Sequence, residues 1–309
     1  MGSGRIALLC QRDLFPFESA SEAPPPRQCI LTLGMKRVLT ALVLIPLVLA
    51  VVFLAPRWLV TILAAVVAAL AAWEYLSMAE RGGTQPPRIA VVVAIAALFV
   101  GNFNYPDLTI DIFGVLSLGL LVFCAFWSKV ELVMADTALA IFCFFYTGVT
   151  LLSIPALREE ANGPSLVTFL LCVVWAGDTV ALYVGRAFGR HKMAPSLSPN
   201  KTWEGAAGSV AGSLLVACGL LGLEHFLAVR FDSARLSYPD PLWYWLLLAV
   251  LINVAAQVGD LAESALKRSV GVKDSGTLLP GHGGILDRID ALLLAAPVLW
   301  YAQVIHQRF

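Results

Sequence analysis

The sequence predicts an all-α, polytopic integral membrane protein with about nine transmembrane helices, and three observations carry that expectation. Hydrophobic residues make up 59% of the 309 and charged residues only 14%, against roughly 25% charged in an ordinary soluble domain, so most of the chain has little polar surface to show water. Nine apolar stretches approach the ~20 residues that a helix needs to cross the hydrocarbon core. The basic residues between those stretches gather on one side of the bilayer.

In order, the stretches run at roughly 38–55, 58–79, 88–103, 110–127, 137–154, 165–185, 205–228, 242–262 and 289–306. Pro46 in the first is tolerable, because backbone groups freed in a membrane helix find partners on neighbouring helices. The third and fourth are short and separated by Asn102, Asn104, Pro106 and Asp107, which leaves a re-entrant pair open beside two full spans. With the N-terminus in the cytoplasm, thirteen basic residues from Met35 onward lie inside, and five, Arg57, Arg158, Arg230, Arg235 and Arg308, lie outside. The positive-inside rule favours that orientation. Because two spans separate them, the loops after the sixth and eighth stretches share a side however the earlier count falls.

Met1–Gly34 is polar, carries Pro24-Pro25-Pro26 and lacks the basic start, apolar middle and small-residue cleavage site of a signal peptide. It reads as a disordered extension. Met35-Lys36-Arg37 running directly into an apolar span resembles a natural start, so initiation at Met35 is the expectation. The 21 basic and 21 acidic residues cancel, so net charge gives no argument for a nucleic-acid partner. The cysteines (Cys10, Cys29, Cys124, Cys143, Cys172 and Cys218) show no CxxC spacing, and the histidines (His191, His225, His282 and His306) no HExxH. Neither a disulfide framework nor a zinc-hydrolase site is expected.

Ionisable groups beside membrane spans are costly and default to functional candidates. If the eighth span continues as a helix through Gly259-Asp260-Leu261-Ala262-Glu263-Ser264-Ala265-Leu266-Lys267-Arg268, Asp260, Glu263, Ser264 and Lys267 occupy one face. The plainer reading is a helix end with Glu263 and Lys267 as an i,i+4 pair on a wet surface. The next segment holds five glycines between Gly271 and Gly284, too many for a stable helix. Glycines expose backbone N–H groups and let a phosphate approach, while Lys273, His282 and Arg288 supply positive charge. Asp287 and Asp290 are hard oxygen ligands of the kind Mg²⁺ takes together with phosphates; otherwise they are helix-capping residues of a cytosolic loop.

A second polar region runs from Asp178, inside the sixth span, through Arg186, Arg190, His191 and Lys192 to Ser198-Pro199-Asn200-Lys201-Thr202-Trp203-Glu204-Gly205. An unpaired aspartate in a span costs several kcal/mol, so Asp178 should face the protein interior and find a partner or metal. Arg186, Arg190 and Lys192 also suit plain positive-inside anchors, whereas Lys201, ahead of a helix start, is a better anion ligand. GxxxxGK[ST] is absent from both regions, which removes a Walker-type nucleotide site.

Taken together, Ser264-Ala-Leu-Lys267-Arg268, Lys273-Asp274 and Pro280-Gly-His282-Gly-Gly-Ile-Leu-Asp287-Arg288-Ile-Asp290 resemble the signature of phosphatidate cytidylyltransferases, also called CDP-diacylglycerol synthases. Asp178-Thr-Val-Ala-Leu-Tyr183-Val-Gly185-Arg186 and Ser198-Pro-Asn-Lys201-Thr-Trp-Glu204-Gly205 are similar to that family's other motifs, and the likeness covers about residues 36–309. The resemblance implies that CTP and phosphatidic acid give CDP-diacylglycerol and pyrophosphate with Mg²⁺, and with K⁺ as a candidate second ion. It implies Asp260 and Asp287 as the leading metal ligands, with Glu263, Asp178 and Asp290 beside them. Lys267, Arg288 and His282 join the two aspartates as catalytic groups, and Ser198, Asn200, Lys201, Ser264, Arg268, Lys273 and Asp274 bind substrate.

The corresponding division is an extension at 1–34, transmembrane helices at 35–160 and a catalytic membrane region at 161–309. The expected place is a bacterial-type inner membrane, with the site facing the cytosol among membrane lipids and a homodimer left open. A secondary transporter is the reading from another class, since Asp178 and glycine-interrupted helices are transporter features too. Against it stand the absence of an inverted repeat and the gathering of ionisable groups at one face. The Asp-Gly-x-x-Ala-Arg cluster of CDP-alcohol phosphatidyltransferases is absent.

Overall fold

The structure is a computed structural model that describes residues 44–231, 235–276 and 283–308. The chain divides into Met1–Val48 and Leu49–Phe309; of the first unit only 44–48, the start of helix α1 (Leu44–Leu54), is described. The extension expected at 1–34, with a start at Met35, lies outside the described residues.

The second unit is helical. After the remainder of α1 come α2 (Arg57–Arg81), α3 (Arg88–Asn104), a 3₁₀ turn (Pro106–Leu108) and α4 (Thr109–Trp127). Next, α5 (Val133–Cys143) and α6 (Thr150–Glu159) are joined end to end through a π-helical segment, Phe144–Val149, and then comes α7 (Gly163–Phe188). A two-stranded antiparallel hairpin, β1 (Lys192–Ala194) and β2 (Ser198–Thr202), leads into α8 (Trp203–Phe231), and α9 (Leu242–Ser269) and α10 (Leu286–His306) complete the chain. Proline sets several starts: Pro56, Pro87 and Pro241 precede α2, α3 and α9, where a fixed φ and a missing N–H carry no penalty.

Among the described residues, seven helices are long and apolar enough to cross a membrane, counting the 3₁₀ turn with α4 and the α5–α6 unit as single helices. The shorter apolar helices are Leu44–Leu54 and Arg88–Asn104. Eight of the nine stretches read from the sequence coincide with described helices and the first does so from residue 44 on, its beginning lying outside the described residues; among the described residues the length of a full span is reached by seven. At 17 residues, α3 measures about 26 Å.

Two packed regions hold the helix ends that carry the polar residues. One joins α2, α3, α4, the π segment and α10 around Leu76, Ile95, Leu98, Phe99, Phe144 and Leu293. In the other, α7 and α8 approach closely because small residues face the contact. A Cβ on Gly208 would stand 2.8 Å from Val184, and one on Gly212 2.6 Å from Val180. Without a hydrophobic driving force inside lipid, such close backbone packing and interhelical hydrogen bonds hold spans together. Asn253 of α9 donates to Ser209 and Ser213 of α8 at 2.8 Å each, Ser213 donates to the Val173 carbonyl at 2.8 Å, and Gln257 donates to Asn253 at 2.6 Å. This buried network ties α7, α8 and α9 together one to two turns below Asp260.

Candidate active site

The helix of the eighth stretch does continue, as α9, to Ser269, so Asp260, Glu263, Ser264 and Lys267 lie on one helix. Close approach of α10 completes the juxtaposition: a Cβ on Gly259 would stand 2.6 Å from the Asp290 carbonyl oxygen. Glycine there lets the two backbones meet, which brings Asp290 into electrostatic contact with Asp260 and Glu263.

Two ion pairs organise the site. Lys201 Nζ, carried by β2, is 2.7 Å from Asp260 Oδ2, the two side chains being 25% and 38% exposed. Lys267 Nζ is 2.6 Å from Asp287 Oδ1 and also pairs with Glu263. The i,i+4 pair expected on a wet surface is therefore buried, Glu263 fully and Lys267 to within 12% exposure. Asp287 makes further contacts: its Oδ2 meets Ser275 N at 3.0 Å, Ser275 Oγ at 3.0 Å and Gly284 N at 2.9 Å. The single Ser275 hydroxyl proton serves either this oxygen or Glu74, so with Lys267 on the other oxygen protein donors occupy most of the acceptor capacity of Asp287.

Asp178, expected to face the interior and find a partner, keeps an accessible side chain on α7 and interacts electrostatically with Lys201 and Asp260. It thereby joins the same cluster from the side. Arg268 does not face the carboxylates; its Nε donates to the Leu197 carbonyl at 3.2 Å and Nη1 to that of Val272 at 2.8 Å, tying the end of α9 to the hairpin and the adjoining loop. Lys273, Asp274 and Asn200 are exposed, Ser198 is half-buried, Ser264 is buried, and Arg288 is exposed on α10. His282 lies outside the described residues.

Two residues that sequence reasoning missed reach this site from the N-terminal helices. Glu74 of α2 accepts hydrogen bonds from Ser275, Ile285 and Leu286. Tyr146, on the π segment, is buried with a hydroxyl that has no hydrogen-bond partner among the described residues, and it interacts electrostatically with Glu263, Asp290 and Asp260. The signals were present: an acidic residue inside an apolar span for Glu74, and a tyrosine in one for Tyr146.

The donor set fits a hard divalent cation. Asp178, Asp260, Glu263, Asp287 and Asp290 face Lys201 and Lys267, and both Glu263 oxygens lack a well-formed hydrogen bond. Excess negative charge at this depth calls for a counter-ion. Among the described residues no three His, Cys, Asp or Glu side chains converge closely enough to enclose a metal.

Comparison with known proteins gives the family. The sequence profile of the cytidylyltransferase family matches residues 35–306. A phosphatidate cytidylyltransferase of Brucella abortus is 46% identical over 157 residues, which is 50% of this chain and 53% of that protein; the match spans about half the length of such relatives. The one of Haemophilus influenzae is 33% identical over 289 residues, 86% of this chain and 97% of the relative. That of Staphylococcus saprophyticus is 39% identical over 172 residues, 56% and 61% of the two chains. With its membrane-spanning helices, this chain is a membrane-integral member of the cytidylyltransferase family.

Proposed function

We propose that the protein transfers the cytidylyl group of CTP to phosphatidic acid, giving CDP-diacylglycerol and pyrophosphate. The observation that carries the reading is the meeting of two ion pairs, Lys201–Asp260 and Lys267–Asp287, at one end of the helix bundle. A phosphate of the lipid is already a competent nucleophile. Its oxygen bonds to the α-phosphorus of CTP as the bond from that phosphorus to the β-phosphate bridge breaks, and no Ser-His-Asp triad is required. Such a transfer depends on positioning and charge neutralisation.

Lys201 and Lys267 hold phosphate oxygens, each released from its carboxylate as substrate enters. Asp260 would hold Mg²⁺, Asp287 would join it only through the Oδ1 that Lys267 releases on turning to phosphate, and Asp178, Glu263 and Asp290 would adjust the charge around the ion. The bound ion supplies neutralisation of phosphate charge and polarisation of the reacting phosphorus. The site faces the cytosol of a bacterial inner membrane, where CTP arrives from water and phosphatidate from the leaflet.

The test is to purify the full chain in detergent and supply phosphatidic acid and labelled CTP with and without Mg²⁺. A labelled liponucleotide that depends on Mg²⁺ is expected, and no product under any metal condition overturns the reading. In the same assay Lys201→Ala should raise an apparent KM roughly 10- to 100-fold, since a hydrogen bond to a charged group is worth about 1.5–3 kcal/mol. Unchanged KM values for both CTP and phosphatidate would remove Lys201 from phosphate binding.

A further inference from the structure

Glu74 lies on α2, more than two hundred residues before its partners, and is only 5% exposed. Its Oε1 accepts from Ile285 N at 3.0 Å, and its Oε2 from Leu286 N at 2.9 Å and Ser275 Oγ at 3.0 Å. The two amides belong to the N-terminal end of α10, where N–H groups lack intrahelical partners and a negative charge is favoured by the helix dipole. A buried carboxylate is tolerated where such donors meet it.

Two glycines make the room. A Cβ on Gly276 would stand 2.5 Å from Glu74 Oε1, and one on Gly284 would overlap both Glu74 Oε2 and Ser275 Oγ. Ser275 then links this cradle to the ion pairs. The same hydroxyl that meets Glu74 lies 3.0 Å from Asp287 Oδ2, and the Ser275 and Gly284 amides close on that oxygen.

We propose that Glu74 is a positioning residue for cytidylyl transfer. It anchors the start of α10 and the loop strands at Ser275 and Gly284, and so holds Asp287 in register with Lys267. Glu74 thus acts through Asp287, and the inference rests on the cytidylyltransferase reading for its kinetic part.

The experiment compares the purified full chain with Glu74→Gln, Glu74→Asp, Ser275→Ala and Glu74→Gln/Ser275→Ala. Amide hydrogen exchange at Ile285 and Leu286 is measured beside kinetics with CTP and phosphatidate. In Glu74→Gln, exchange at those amides should accelerate while α7 and α8 keep their protection. The kcat should fall about 10- to 100-fold, the scale of a misplaced reacting group, with the KM for phosphatidate within about twofold.

Glu74→Asp should recover part of the loss. The double variant should be no slower than its slower parent, because both changes cut one link and so do not add. Wild-type exchange and kcat in Glu74→Gln, or losses that multiply in the double variant, overturn the proposal. Should Glu74→Gln fail to fold, Ser275→Ala, which removes the shared hydroxyl and no charge, carries the kinetic expectation, and unchanged kcat in it overturns the proposal. A wild-type chain that makes no liponucleotide defeats the functional reading alone, and the exchange comparison still decides whether Glu74 holds the loop.

Discussion

Asp260→Asn is expected to lower cytidylyl transfer by about a thousandfold, the scale on which a preorganised electrostatic group acts, while the protein still inserts in membranes and remains folded in detergent. The substitution keeps shape and removes one charge. Asp260 is the more accessible carboxylate of the two ion pairs, at 38% exposure; its replacement takes the charge partner from the buried Lys201 Nζ, but the asparagine oxygen still accepts from that ammonium, so the loss of stability should stay near ~1 kcal/mol. Its single ion-pair partner among the described residues is Lys201, so it keeps acceptor capacity for a metal. Two roles can be separated by the Mg²⁺ titration. A metal ligand shifts the Mg²⁺ dependence of turnover, whereas a group that only aims Lys201 changes KM and leaves that dependence unmoved. Near-normal turnover at ordinary Mg²⁺ would strike Asp260 from the ligand set.

The helices were legible because their signal is local. Among the described residues each apolar stretch coincides with a helix, and proline marks several of the starts. The continuation of the eighth span into the polar segment also came from local pattern: Asp260, Glu263 and Lys267 recur at helical spacing and stay on α9 to Ser269. What sequence could not give was burial. Spacing assigns Glu263 and Lys267 to one face, but only α10 and its Asp287, packed over that face, turn an ordinary surface pair into a buried one.

The glycines reverse the case. Gly276 and Gly284 read as room for a phosphate, yet their open side is filled by the Glu74 carboxylate, a residue 201 positions from Ser275. No local period encodes that meeting. Nor could hydropathy show that Tyr146, in an apolar stretch, would lie within electrostatic reach of Glu263, Asp290 and Asp260. The π segment that carries it is of a kind that often marks functional sites.

Lys267→Met is expected to do what Asp260→Asn does not, removing activity and stability together. The ammonium lies between Glu263, fully buried, and Asp287, whose side chain is 11% exposed. Removing it leaves two carboxylates facing one another with their shared counter-charge gone. Breaking a buried pair from one side typically costs about 3–5 kcal/mol, because the remaining charge stays desolvated, so thermal unfolding in detergent should move down by many degrees. Glu263→Gln added to Lys267→Met removes one of the stranded charges and should restore a large part of the stability. It should restore none of the turnover, since Lys267, the proposed phosphate ligand, is still missing. An unfolding temperature for Lys267→Met equal to wild type would mean that the carboxylates are relieved by protons or ions rather than by Lys267, and recovery of turnover in the double variant would place the phosphate-binding charge elsewhere. The contrast between the two lysines comes from depth and partners: Lys201 pairs with one aspartate that is 38% exposed and leaves it to water when removed, so its loss should be felt in binding rather than in folding.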